Sequence, residues 1–75
     1  MKNQIKNMLE DALPLVDFES DFLLAELDSL GVTTILMLLS EKYGILLESS
    51  DVTPKNLKNL DSLVLLVKSK LQNKK

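Results

Sequence analysis

Apolar and polar positions alternate along the chain in a way that divides it into helical stretches joined by polar connections. At the start, Ile5, Met8, Leu9, Ala12 and Leu13 recur at intervals of three and four, which places them on one helical face, with Asn3, Lys6 and Glu10 on the other. Pro14 stops this helix, because proline lacks an amide proton and disfavours helical geometry in the residue before it. Residues 14–28 form a long connection in which Asp17, Glu19, Ser20 and Asp21 are interspersed with Leu15, Phe18, Phe22, Leu23, Leu24 and Leu27. In a loop longer than most, the aromatics are expected to pin the chain across the helical core.

A second helix is predicted from Ser29 to Tyr43, closed by Gly44, where a left-handed residue costs little only for glycine. Its core stripe is Val32, Ile35, Leu36, Leu39 and Tyr43. Leu30, Thr33, Thr34 and Met37 fall on a second, semi-apolar face that is either additional core or a partner surface. Ile45 to Leu47 continue apolar before the polar turn of Glu48, Ser49, Ser50 and Asp51. Thr53 and Pro54 pair as N-cap and first residue of a short helix, a turn or so long, ending near Lys58. Asn59 then caps a final helix with Leu60, Leu63, Val64, Val67 and Leu71 at helical spacing, and Lys68, Lys70, Lys74 and Lys75 near the end that favours positive charge. The expected fold class is all-α, a small four-helix bundle with three main helices plus one short third helix, forming one domain over residues 1–75.

Composition agrees with this reading and narrows the chemistry. Seventy-five residues support a single core, since so short a chain buries only about 60% of its unfolded surface. Two glycines, two prolines and three aromatics argue against a sandwich, a barrel or a disordered tail. With no Cys and no His there is no disulfide framework, no thiolate nucleophile, no imidazole base and no common zinc ligand. A self-contained enzyme is therefore not expected, and neither catalytic residues nor a resident metal are assigned.

Net charge is −2, distributed in blocks: +2 over residues 1–9, −7 over 10–28, zero over 29–40, −2 over 41–51 and +5 over 52–75. An acidic stretch leading into an uncharged helix repels phosphate backbones, so nucleic acid is not an expected partner. No signal-like apolar run opens the chain and no segment approaches the ~20 apolar residues of a membrane span, so stable membrane insertion is not expected and a cytoplasmic location is.

The tripeptide Asp28-Ser29-Leu30 lies where the acidic connection becomes a helix. Taken alone it marks a helix start, since Ser and Asp are favoured N-cap residues. The same tripeptide recurs as Asp61-Ser62-Leu63 inside the last amphipathic segment, which provides an internal control. Context separates the two copies. The run Phe22-Leu23-Leu24-Ala25-Glu26-Leu27-Asp28-Ser29-Leu30-Gly31, followed by Ile35, Leu39, Glu41, Tyr43, Gly44 and Ile45, resembles the acyl carrier protein family, including its peptidyl and D-alanyl carrier branches. The block Asp51-Val52-Thr53-Pro54-Lys55-Asn56-Leu57-Lys58-Asn59-Leu60 is similar to that family's short third helix and the cap of its fourth.

The resemblance implies a monomeric carrier in which Ser29 receives 4′-phosphopantetheine from coenzyme A as a phosphodiester, and whose arm holds an acyl or aminoacyl group as a thioester. The residues are compatible: an anion at a helix N-terminus meets the positive end of the helix dipole and free backbone donors. Ser62 falls within the first turn of a helix capped by Asn59 and lacks the acidic lead-in, so Ser29 is the expected attachment point. The implied partners are a phosphopantetheinyl transferase, an adenylating or transferring enzyme that loads the acyl group, and enzymes that consume it. An unmodified helical interaction module and a regulator phosphorylated on Ser29 are the competing readings.

Within the resemblance, Asp28 either helps hold the Mg²⁺ used by the transferase or is only a favourable charge at a helix start. Asp28, Leu30, Thr33, Met37 and Glu41 are the expected partner-recognition residues. The family commonly places carboxylates along the first turns of this helix, whereas residues 30–40 contain none. Docking is therefore expected to rest on apolar contact at Leu30 and Met37, rimmed by Glu26, Asp28, Glu41, Glu48 and Asp51. Ala25 stands where related carriers often have Gly, and Leu27 precedes the Asp where housekeeping fatty acid carriers more often read Gly-Ala-Asp-Ser-Leu. Leu27 thus points towards a carrier dedicated to a specialised acyl, polyketide or aminoacyl pathway. A loaded chain is expected to be shielded by separation of the helices around Leu24, Ile35, Leu39 and Leu63.

Overall fold

The computed structural model describes residues 1–72. Three helices form, α1 over Lys2–Ala12, α2 over Ser29–Tyr43 and α3 over Leu60–Gln72, with 3₁₀ turns at Leu23–Glu26 and Ser49–Asp51. Lys74 and Lys75, expected near the end of the last helix, lie outside the described residues. Each helix ends where local chemistry ends it. At α1 the Leu13 amide closes the last turn on the Leu9 carbonyl at 2.8 Å, and Pro14 follows with no proton to offer. At α2, Gly44 adopts φ 61° and ψ 39°, a left-handed conformation that Cβ would strain, and its amide returns to the Ser40 carbonyl.

All three helices pack against one another. The core draws Ile5 and Leu9 from α1, Ile35 and Leu39 from α2, and Leu60, Leu63, Val64, Leu66 and Val67 from α3. Leu47, Leu57, Leu23 and Phe18 close it from the connections, and no polar side chain is buried among the described residues. Met8, Leu13, Val32, Leu36, Tyr43 and Leu71, all expected in the core, are only partly buried and pack on its edge. Ala12, assigned to the α1 core face, is exposed. The expected pinning by aromatics holds for one of the two: Phe18 is 2% exposed, whereas Phe22 is 71% exposed.

The short third helix is a single turn, the length its sequence predicts. Thr53 caps it as expected, its Oγ1 accepting from the Asn56 amide at 3.0 Å and its carbonyl from the Leu57 amide at 3.0 Å. It does not propagate because the carbonyls of Leu57 and Lys58 accept instead from the amides of Leu24 and Leu23, at 2.9 and 2.8 Å. The next helix begins at once under its own cap, with Asn59 Oδ1 accepting from the Ser62 amide at 2.9 Å. The loop between α1 and α2 is thereby hydrogen-bonded to the segment before α3.

Asp51 secures the connection that precedes this turn. Its Oδ2 accepts from the Glu48 amide at 2.9 Å and pairs with Lys70 of α3 at 3.2 Å, while its carbonyl receives the Asn56 side-chain amide at 2.9 Å. The Glu48 amide foremost, and then Lys70, hold the Asp51 carboxyl below its usual value. Its contribution is therefore present above the ordinary carboxylate range and is lost as pH falls through that range and below. Asp51→Ala, at a side chain only 16% exposed, is expected to cost about 1 kcal/mol, read as a lower urea midpoint at neutral pH. The gap between variant and parent is expected to close in acid.

Two further ion pairs tie α1 to its neighbours. Lys2 meets Asp61 of α3 at 2.8 Å, and Lys6 hydrogen-bonds Glu19 of the long connection. The bond and charge of the partner raise the Lys6 pKa and lower that of Glu19. Both pairs are open to water and fix orientation more than they add stability.

Candidate functional site at the start of helix α2

Asp28 has extended backbone geometry and Ser29 is the first helical residue. The Asp28 Oδ1 accepts from the Gly31 amide at 2.7 Å and its carbonyl from the Val32 amide at 3.0 Å, so Asp28 is the N-cap. Gly31 is buried against this cap; a Cβ there would stand 3.2 Å from Asp28 Oδ1 and 3.3 Å from Leu27 Cδ2. With Gly31 and Val32 satisfied by Asp28, the amides of Ser29 and Leu30 remain at the open, positive end of the helix. Ser29 is exposed beside them. An exposed hydroxyl next to two backbone donors and the helix dipole is a donor set that fits a phosphate ester.

The second Asp-Ser-Leu copy is built differently. Ser62 is half-buried, its amide is the one that Asn59 caps, and its hydroxyl donates to the same Asn59 Oδ1 at 3.0 Å. Its oxygen is engaged in the cap of α3, whereas Ser29 leaves capping to the residue before it.

The face of α2 left open in the sequence reading points to solvent. Leu30 is 73% and Met37 52% exposed, and Thr33 and Glu41 are exposed as well. Leu30, Met37 and Glu41, separated by seven and four residues, form one stripe, while Thr33 lies four residues beyond Ser29 on the Ser29 side. Both threonine hydroxyls turn onto the helix itself: Thr33 Oγ1 donates to the Ser29 carbonyl at 2.9 Å and Thr34 Oγ1 to the Leu30 carbonyl at 2.8 Å.

The residues expected to part around a carried chain are not gathered at an opening. Ile35, Leu39 and Leu63 are fully buried in a closed core. Leu24 instead lines a surface groove of about 650 Å³, together with Phe22, Ala25, Pro54, Lys55, Leu57 and Lys58. The sequence reading missed this groove. Its one signal in the sequence is Phe22, a large apolar residue beside Asp21 and close to the motif, which lies on the groove instead of pinning the loop across the core.

No curated protein and no solved structure matches the chain. A family model described as phosphopantetheine attachment site does match, over residues 3–67. That span takes in α1 from its second residue, the long connection, α2 and the first eight residues of α3. The chain therefore belongs to the acyl carrier protein family, whose members hold 4′-phosphopantetheine covalently on a serine.

Proposed function

We propose that this chain, acting as one carrier unit over residues 1–75 and not as an enzyme, bears 4′-phosphopantetheine on Ser29. In the loading step the Ser29 oxygen forms a bond to the phosphorus that carries pantetheine. The bond from that phosphorus to the rest of coenzyme A breaks, and the hydroxyl proton leaves to a base of the transferase. The arm's thiol then holds an acyl or aminoacyl group as a thioester for the enzymes that load and consume it, in fatty acid, polyketide or related specialised biosynthesis. The observation carrying this reading is the contrast within one chain: Ser29 is exposed at an open helix end, and Ser62 is engaged by Asn59. Incubation with coenzyme A and a promiscuous phosphopantetheinyl transferase is expected to add one arm by intact mass. An unchanged mass overturns the assignment, whether the chain is an interaction module or a target for phosphorylation.

Partner recognition is assigned to Asp28, Leu30, Thr33, Met37 and Glu41, with apolar contact at Leu30 and Met37 supplying most of the affinity. Their exposure supports this reading, as does the absence of any charge over residues 29–40. Docking of this kind survives screening by salt, so loading that collapses at high ionic strength would count against it.

Asp28 is assigned a second role beyond its cap, as a ligand to the Mg²⁺ of the transferase complex. Asparagine caps a helix as well as aspartate does, so Asp28→Asn is expected to keep the fold within about 0.5 kcal/mol. Its loading rate is nevertheless expected to fall about tenfold or more, the order of effect of losing a metal-linked group. Loading at the parent rate would leave Asp28 as a cap alone.

A further inference from the structure

The groove between the Leu23–Glu26 turn and the turn after Thr53 has no part in the attachment chemistry, yet it has the features of a binding site. It is preformed, because the Leu23 and Leu24 amides are hydrogen-bonded across it to the carbonyls of Lys58 and Leu57 at 2.8 and 2.9 Å. Its volume of about 650 Å³ lies within the range that encloses small ligands. Its walls are apolar, and Lys55 and Lys58, neither of them ion-paired among the described residues, stand at its edge. Phe22 on its rim is 71% exposed, an apolar surface with nothing covering it.

The groove also lies near the attachment point. Ala25 in its wall precedes Ser29 by four residues, a stretch of chain that spans at most about 14 Å. A group tethered at Ser29 reaches the groove at an effective concentration in the millimolar range, so even a weak site is filled. The charge at the edge then selects among cargoes. Along the chain the charges nearest Ser29 are the carboxylates of Glu26 and Asp28, whereas the groove carries two lysines, so the lysines are where an anionic end would be drawn.

We propose that this groove seats the far end of the acyl group carried on Ser29, and that the cargo it favours is an acyl chain ending in a carboxylate. The apolar stem lies against Leu24, Leu57 and Phe22, and the carboxylate meets Lys55 and Lys58. This inference rests on Ser29 being the attachment serine and names the class of cargo for that same site.

The test loads the protein enzymatically with three pantetheine thioesters of matched length, hexanoyl, adipoyl and 6-aminohexanoyl, each confirmed by intact mass. Amide hydrogen exchange at Leu24, whose bond to Leu57 crosses the groove, is then compared with the amide shifts of Ala25 and Lys58. Adipoyl is expected to protect Leu24 about two- to fivefold more than hexanoyl, the factor of an exposed ion pair, and 6-aminohexanoyl less than either. The ranking is expected to collapse in Lys55→Gln/Lys58→Gln, at two exposed positions where the fold is not at stake, and to fade at high salt. Equal protection by all three cargoes overturns the proposal, as do shifts concentrated at Ile35, Leu39 and Leu63 or a ranking that persists in the double variant. No perturbation by any cargo likewise overturns it and leaves the groove to a partner protein. Failure to gain mass at all sinks the Ser29 assignment itself, so the two failures are distinct.

Discussion

Ser29→Ala is expected to abolish attachment of the phosphopantetheine arm, with intact mass unchanged after exhaustive treatment with transferase and coenzyme A, while Ser62→Ala is loaded to completion. The comparison is clean because the two substitutions act oppositely on stability. Ser29 is an exposed first-turn residue and alanine is the better helix former, so its loss leaves the fold within about 0.5 kcal/mol. Ser62 donates to Asn59 at 3.0 Å, and removing that bond costs about 0.5 to 1.5 kcal/mol without touching the site. The variant that damages the protein more is thus the one that keeps its chemistry. Loading of Ser29→Ala, or loss of loading in Ser62→Ala, would reverse the assignment.

Leu39→Ala is expected to lower stability by 2 to 5 kcal/mol, measured as the urea midpoint with unchanged slope. Leu39 is fully buried where α2 meets the other helices, so truncation leaves a cavity that a small bundle can only partly close. Against a total on the order of 4 to 11 kcal/mol for a chain of this length, that loss is a large fraction. Leu30→Ala, on the same helix but on its solvent face, is expected to stay within about 0.5 kcal/mol because Leu30 already faces water. A Leu30→Ala as damaging as Leu39→Ala would mean that the face assigned to partners belongs to the core.

How legible the fold was depended on whether the signal was local. Helix α2 could be bounded from Ser29 to Tyr43 because each end carries a residue with its own backbone chemistry, Asp28 as acceptor and Gly44 at positive φ. Asn59 announced α3 for the same reason. The connection between α1 and α2 was not legible in this way. Which of Phe18 and Phe22 turns inward is settled by the bonds from Leu23 and Leu24 to Lys58 and Leu57, distant partners with no pattern in the sequence to pair them. The distinction between Ser29 and Ser62 was readable from the Asn59 cap and the acidic lead-in before Ser29, whereas the groove is made of two separated segments and could emerge only from their pairing.

The threonines at the start of α2 have a consequence for whatever approaches Ser29. With both hydroxyl protons directed to carbonyls of their own helix, Thr33 and Thr34 retain only acceptor lone pairs and a methyl group each for an incoming protein. Beside Leu30 and Met37 they behave more like valines than alcohols. A binding protein selected against this surface should therefore carry its own apolar ridge, and exchanging these threonines for valine should be far less disruptive to recognition than exchanging them for serine.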